Sequence, residues 1–384
     1  MEYTKLKYIN EYQNESINPS QFPETEFEMY SVPSYDTWHP EYVIGKDIGS
    51  SKILVQKNDI LLCKINPRIN RVWIVSDESD KQNIASSEWI VIRNHSYNPE
   101  YLAWYFRSKF FQNYMTSEVT GIGGSLTRAQ PKRVGDYPVP VLSREEQDNI
   151  VKTLNTLQKV VNAKKEELNK CDYLIKARFV EMFGLPGDDN PEWKFGKLGD
   201  VCEFNPKKVN NPKLVNNPEV SFVPMNAVSE KGYLDPSEIR SYSDVKTGFT
   251  YFEDNDVLFA KITPCMENGK GAVAKGLKNG VGFGSTEFHV LRPVKGVSNP
   301  YWIYTLTSFE QFRIQAMKNM TGSAGQRRVP VNFLENYRVA IPPIELQDRF
   351  ADFVAQVDKS KAAVQKSLDE TQLLFDSLMQ KYFG

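Results

Sequence analysis

The sequence predicts an α+β protein built twice over. Two similar globular domains are joined and separated by two long antiparallel helices, a coiled-coil rod with a pseudo-two-fold internal repeat. Two observations predict this: blocks that recur in the same order half a chain apart, and a heptad seam that follows each globular part.

The blocks come first. Asn58–Pro67 (NDILLCKINP) returns as Asn255–Pro264 (NDVLFAKITP) at an offset of 197, and Ser86–Arg93 (SSEWIVIR) as Ser285–Arg292 (STEFHVLR) at 199. Asn98-Pro99 and Thr120-Gly121 return as Asn299-Pro300 and Thr321-Gly322, both at 201, and MFG (182–184) as YFG (382–384) at 200. A slowly drifting offset marks loop insertions in a duplicated unit.

Within each globular part, short β-like runs (Ile60–Ile65, Val72–Val75, Trp89–Ile92; Val257–Ile262, Glu287–Leu291) alternate with Gly/Pro/Asn turns, and one aromatic-rich helix is expected over Pro99–Tyr114 and again over Pro300–Met317. Asn98 and Asn299 read as helix caps with a first-turn proline. The pattern then switches. Ile150, Leu154, Leu157, Val161, Leu168, Cys171 and Ile175 step by 4, 3, 4, 7, 3 and 4, and the same register returns at Phe350, Val354, Val357, Val364, Leu368 and Phe375. A helix of about 38 residues at 1.5 Å each is about 57 Å long, too long to hide in a single domain. The order domain–helix–domain–helix makes the two helices antiparallel if their seams meet. The expected boundaries are 1–142 and 185–342 for the globular domains, and 143–184 and 343–384 for the helical spacers.

Of 384 residues, 40% are hydrophobic and 25% charged, which excludes a largely disordered chain. Forty-seven basic residues against 48 acidic leave a net charge of -1, so a nucleic-acid surface would have to come from local clustering. No apolar run is long enough to span a bilayer and the opening MEYTKLKYINEYQNES has no signal core, so a cytoplasmic location is expected. Four separated cysteines, without CxxC spacing, read as unpaired thiols rather than a disulfide framework or zinc site. His39, His95 and His289 lack ligand spacing. There is no GxxxxGK[ST] loop, and the glycine cluster at 280–285 reads as a tight hairpin. NPEY (98–101), NPEW (190–193) and NPYW (299–302) lack the second proline of the Asn-Pro-Pro-aromatic motif of amino-methyltransferases. The reading is a chain without catalysis, metal or cofactor of its own.

Basic clusters recur instead. Lys64, Arg68 and Arg71 follow the first apolar strand, and Lys261 and Lys270 follow its counterpart. TGIGGSLTRAQPKR (120–133) brings Arg128, Lys132 and Arg133 after a glycine-rich turn, and TGSAGQRRVP (321–330) brings Gln326, Arg327 and Arg328. Glycine-turn amides and arginines suit phosphate, Gln suits an adenine edge, and Arg a guanine. A solvated basic loop would look the same taken singly; recurrence at equivalent places favours binding.

With those residues in view, the chain resembles the specificity subunit of type I restriction–modification systems. The resemblance rests on EWKFGKLGDVCEF (192–204), the helix starts EEQDNIV and ELQDRFA, and the MFG closure; the first domain shares only Lys5-Leu6 of the opening. It implies a non-catalytic DNA-reading subunit, each domain reading half of a bipartite double-stranded target and the helices setting the gap. It further implies two methyltransferase subunits as partners, with S-adenosylmethionine on them, and motor–nuclease subunits. A bivalent protein-binding adaptor and a stand-alone DNA-modifying or cleaving enzyme are the alternatives.

Overall fold

Asn58 and Asn255, the first residues of the longest repeated block, both take a left-handed backbone with φ 72°, a conformation that asparagine tolerates better than most residues. The aspartate that follows closes the turn: Asp59 accepts from the Gln56 amide at 2.9 Å and Asp256 from the Glu253 amide at 2.7 Å. Each aspartate, almost completely buried, also grips an arginine from the second repeated block through two bonds, Asp59 with Arg93 and Asp256 with Arg292, at 2.7–2.8 Å. The two blocks therefore travel together because their polar groups neutralise one another inside the fold.

The computed structural model describes residues 2–76, 78–117, 119–120, 127–187, 193–209, 211–323 and 325–384. They form two compact units, Met1–Lys164 with Ser367–Gly384, and Lys165–Lys366. The strands share one topology. In unit 1, Lys52–Leu54, Gln82–Ala85, Glu26–Tyr30 and Glu41–Ile44 lie in that order, with Gln82–Ala85 parallel to Glu26–Tyr30 and the other pairs antiparallel. Unit 2 repeats the order with Thr250–Glu253, Val281–Gly284, Glu219–Val223 and Ile239–Ser241, again with one parallel pair. A second sheet in each is centred on the first apolar strand of the block: Ile60–Cys63 lies between Val72–Ile74 and Trp89–Ile92, and Val257–Ala260 between Gly271–Val273 and Phe288–Pro293. A two-stranded closure, Tyr3–Lys5 with Pro138–Pro140 and Lys194–Lys197 with Arg338–Ile341, joins the start of each domain to its end.

Val281–Gly284 of the glycine cluster is a strand interior rather than the expected hairpin, and Gly280, at φ 67°, ends the turn before it. A Cβ on Gly282 would collide with the Phe252 ring, and one on Gly284 with the Val223 carbonyl, so the glycines admit close packing rather than a turn.

Six longer helices occur among the described residues: α1 (Pro99–Arg107), α2 (Lys109–Ser117), α3 (Arg144–Phe183), α4 (Pro300–Ser308), α5 (Glu310–Lys318) and α6 (Ile344–Phe383). The single aromatic helix expected in each half is thus two. Ser108 and Phe309 are extended (ψ 151° and 144°). Ser108 accepts from the Phe111 amide as a new cap, and Phe309 turns its ring into the core beside Phe179, 5.2 Å between centroids. Asn98 caps α1 by accepting from the Glu100 and Tyr101 amides, and Asn299 caps α4 by accepting from that of Tyr301.

The EEQD and ELQD helix starts have a mechanical reason. Gln147 and Gln347 are 2% and 0% exposed. Each accepts from the amide of the cap asparagine (Asn98 at 2.8 Å, Asn299 at 2.9 Å) and donates to the carbonyl five residues before it, Leu142 or Pro342. The aspartates next to them, Asp148 and Asp348, accept from the Asn98 and Asn299 side-chain amides. This latch fixes α3 to α1 and α6 to α4.

In unit 1, Ile150, Leu154 and Leu157 of α3 share a core with Tyr101, Trp104 and Tyr105 of α1 and with Phe375 and Phe383 of α6. In unit 2, Ile175, Phe179 and Phe183 of α3 share one with Trp302 of α4 and with Phe350 and Val354 of α6. Of the seam residues, Ile150, Leu154, Val161, Phe350, Val354, Val357, Leu368 and Phe375 are buried, and Leu157, Leu168, Ile175 and Val364 are half-buried. Phe179, Phe183 and Phe383, absent from the heptad reading, are among the most buried positions of the long helices.

Candidate nucleic-acid interface

Each unit carries the same small platform where its central apolar strand ends. The Lys64 amide donates to the Glu88 carbonyl (3.0 Å) and its carbonyl accepts from Ala129 (2.8 Å); Lys261 does the same with Glu287 and Val329, both at 2.9 Å. Three segments distant in sequence are thereby tied together, and they bring an arginine against a glutamate. Arg128 meets Glu88 at 3.2–3.3 Å. Arg328 meets Glu287 at 2.8–3.2 Å and also donates to the Gln326 carbonyl at 3.1 Å. The hydrogen bonds from Arg328 hold the Glu287 carboxyl below its ordinary pKa, and Glu287 in turn raises that of Arg328. The guanidinium is mounted in one plane on each platform.

Around these mounts the candidate residues divide. Arg68, Lys132, Arg133 and Gln326 are exposed. Arg68 sits in the Pro67–Ile69 turn, which is flanked by left-handed Asn66 and Asn70. Lys64, Lys261 and Lys270 are half-buried, and Lys270 donates to the Met225 carbonyl at 3.3 Å. Arg71 does not project, since its Nε is buried. Arg327 donates to the Met317 and Met320 carbonyls at 3.0 and 3.3 Å, closing the end of α5. The turn at 321–328 is pinned by two Thr321–Arg328 backbone bonds at 2.8 and 2.9 Å, with Gly322 and Gly325 at positive φ. Its counterpart glycines, 121–126, lie outside the described residues, as do residues 190–192 of NPEW.

Sequence reasoning missed Lys207 and Lys208. They line a cleft of about 470 Å³ in unit 2 together with Lys261, Thr250, Thr286 and Phe249. The Lys208 ammonium lies over the Phe283 and Tyr242 rings (5.3 and 5.5 Å) and donates to the Lys246 carbonyl; partial burial and the neighbouring Lys246 lower its pKa. The run NPKKVNN (205–211) is a legible basic signal in the sequence.

His39 and His95 are exposed. His289 is buried, its Nε2 donating to the Val329 carbonyl at 2.9 Å while Nδ1 lies 3.3 Å from the Asn205 amide, and burial lowers its pKa. All four cysteines are unpaired, and no cluster of three metal-ligating side chains occurs among the described residues. No helix of the described residues is long and apolar enough to cross a membrane.

Residues 190–371 match the type I restriction modification DNA specificity domain. The chain is 36% identical over 237 residues to the specificity subunit of the type I restriction enzyme EcoAI of Escherichia coli, a match that takes in 58% of this chain. The chain is thus similar to type I restriction–modification specificity subunits, most clearly in its second half. A second Escherichia coli relative, the EcoEI specificity subunit, is also 36% identical, over 235 residues. The chain spans only 39% and 38% of the length of these two relatives. In fold, it follows the S subunit of the type I system of M. genitalium over its whole length (TM-score 0.53, 12% identity). It also follows a chain solved in work on assembly and conformational transition of the type I R-M system (TM-score 0.60, 20% identity, covering 97% of that chain).

Proposed function

We propose that this chain is the sequence-reading, non-catalytic subunit of a type I restriction–modification complex. Domains 1–142 and 185–342 each take one half of a bipartite duplex target. The helical spacers 143–184 and 343–384 pack antiparallel, set the gap between the half-sites, and dock two methyltransferase subunits that carry S-adenosylmethionine. Motor–nuclease subunits complete the cleaving form. The single observation that supports DNA reading best is the repeated platform, an arginine clamped by a glutamate beside a strand-end lysine, once in each unit. The clamped pair holds the strand end and the loops beside it in place, so the exposed groups they carry lose little freedom on meeting phosphate or a base edge. Around it, Arg68, Lys132 and Arg133 in the first domain and Lys207, Lys261 and Gln326 in the second supply the outward groups.

The test is fluorescence-anisotropy binding of the chain, with its methyltransferase partner, to duplexes carrying the mapped target. Arg68→Ala and Lys132→Ala should weaken binding to all sequences and lower the salt slope by about one each if they touch phosphate. A base-reading residue should instead cost about 1–3 kcal/mol at one target position. Unchanged affinity and salt dependence for Arg68→Ala, Lys132→Ala and Lys207→Ala would remove the interface from this face.

A further inference from the structure

Unit 2 encloses a cavity of about 410 Å³ between α4, α5, the 172–176 stretch of α3, the 354–361 stretch of α6 and the loops at 230–234 and 269–275. Cations outnumber carboxylates around it. Asp172 accounts for two of them, lying 2.6 Å from Lys361 and 3.9 Å from Lys231. Lys275 is satisfied in part by the Tyr301 hydroxyl at 2.5 Å. Asp358 and Glu230 line it as well, leaving five cations against three carboxylates. Among the described residues neither Lys176 nor Arg313 makes an ion pair, and the buried Nε of Arg313 has no hydrogen-bond partner. They face each other's charge as well as partial burial, and both effects lower the Lys176 pKa. Tyr304 lines the same space. An excess of cations around a cavity, with one buried guanidinium nitrogen unpartnered, is a costly arrangement that a bound anion would relieve.

The backbone is shaped to permit this. Gly269 has φ 82°, and a Cβ there would fall on the Arg313 Nη1; Gly232, also at φ 82°, similarly makes room for the Tyr304 hydroxyl. The duplicated unit supplies a control. At the offset of 201, Thr305 corresponds to Trp104, Tyr304 to Ala103 and Arg313 to Gln112. In unit 1 the Trp104 ring packs 5.6 Å from Phe375, Arg107 lies over it at 5.2 Å and donates to the Val72 carbonyl, and Gln112 reaches the Pro67 carbonyl. Unit 1 keeps a cavity of about 340 Å³ at the corresponding place, lined by Ile74, Ser76, Glu100, Trp104 and Arg107, so what sets unit 2 apart is its excess of cations rather than the opening itself.

We propose that the unit 2 cavity binds a phosphate-bearing small molecule of mononucleotide size or less, its phosphate held by Arg313, Lys176 and the Tyr304 hydroxyl. A dianionic phosphate matches two unpaired cations better than a single carboxylate does, and the volume lies in the range of small-molecule sites. Neither the family match nor DNA reading calls for such a ligand.

Isothermal titration of the full chain with AMP, inorganic pyrophosphate and adenosine tests it. AMP and pyrophosphate should bind and adenosine should not. Arg313→Ala and Lys176→Gln should each weaken binding at least about tenfold, or about 1.4 kcal/mol. Thr305→Trp, which puts a ring in the cavity wall, should weaken it too. Circular dichroism melts identify any variant that fails to fold, and the other two then carry the comparison. No heat with either phosphate compound, or equal binding by the folded variants, overturns the site. Displacement of AMP by a short duplex would assign these cations to the DNA backbone and overturn the small-molecule reading as well.

Discussion

Removing the Gln347 side chain tests whether the helix-start motif is a mechanical latch. The residue is 0% exposed, its Oε1 accepts from the Asn299 amide at 2.9 Å, and its Nε2 donates to the Val297 and Pro342 carbonyls at 3.0 and 2.9 Å. Gln347→Ala orphans one buried N–H and weakens the satisfaction of two carbonyls; one such orphan costs about 1–3 kcal/mol, so a total of about 3 kcal/mol is expected. For a unit of this size each kcal/mol moves the midpoint by about 2–4 °C, giving a fall of about 6–12 °C in the calorimetric transition of unit 2. Gln347→Glu sharpens the test. Its carboxylate keeps the Asn299 bond but faces two carbonyl oxygens in a dry site, so at pH 7 it should be worse than Ala. Burial raises the pKa of that new carboxyl, so its penalty should be full above the folded value and shrink as the pH falls through it toward the ordinary carboxylate range. Gln147→Ala should act on the other transition, because the same bonds recur there. A shift under about 2 °C for Gln347→Ala, or Glu tolerated as well as Gln at pH 7, would refute the latch.

Val357→Asp, at a position 7% exposed, should cost several kcal/mol as a buried unpaired charge, and half-buried Leu157→Asp should cost less; soluble yield and melting temperature give the order. Gly282→Ala should lower the unit 2 midpoint through the clash with Phe252, an overpacking cost of about 1–3 kcal/mol, read by urea unfolding. His289 is held neutral by burial with its pKa below the ordinary value, so unfolding takes up a proton that the fold refuses. Stability should be full above about pH 6.5 and decline as the pH falls from there toward the folded value, while His289→Gln should show a flatter profile in melts across that range.

What the sequence disclosed follows the kind of signal each element emits. The long helices were legible because their seam repeats at Ile150, Leu154 and Leu157 and again at Phe350, Val354 and Val357, and periodicity survives without knowledge of the partner. The apolar strands at 60–63 and 257–260 were legible for the same reason, being continuous hydrophobic runs. The outer sheet was not. Glu26–Tyr30 and Gln82–Ala85 pair in parallel across more than fifty residues, and Glu28 and Asn83 are buried polar residues within them. No local pattern announces such a strand. The break at Ser108 was hidden because aromatic residues continue on both sides of it, and only the core decides that Phe309 or Ser108 leaves the helix.

The binding face was legible in composition but not in role, and the repeat explains why. Recurrence in both halves suggested that Arg128 and Arg328 meet a ligand. Yet Asp59 with Arg93, Glu88 with Arg128 and Gln147 with Asn98 all recur in unit 2, and each is a bond that holds the fold. Duplication preserves first what both copies need, which is scaffold. If the two domains read different half-sites, the residues that discriminate bases must differ between them while their mounts stay alike. Arg68 has Cys265 at its offset of 197, and Lys207 and Lys208 have no counterpart at all. On that reading the recurring pairs position and what the two halves do not share discriminates, so exchanging the 205–211 segment should alter the preferred half-site of one domain and leave the other unchanged.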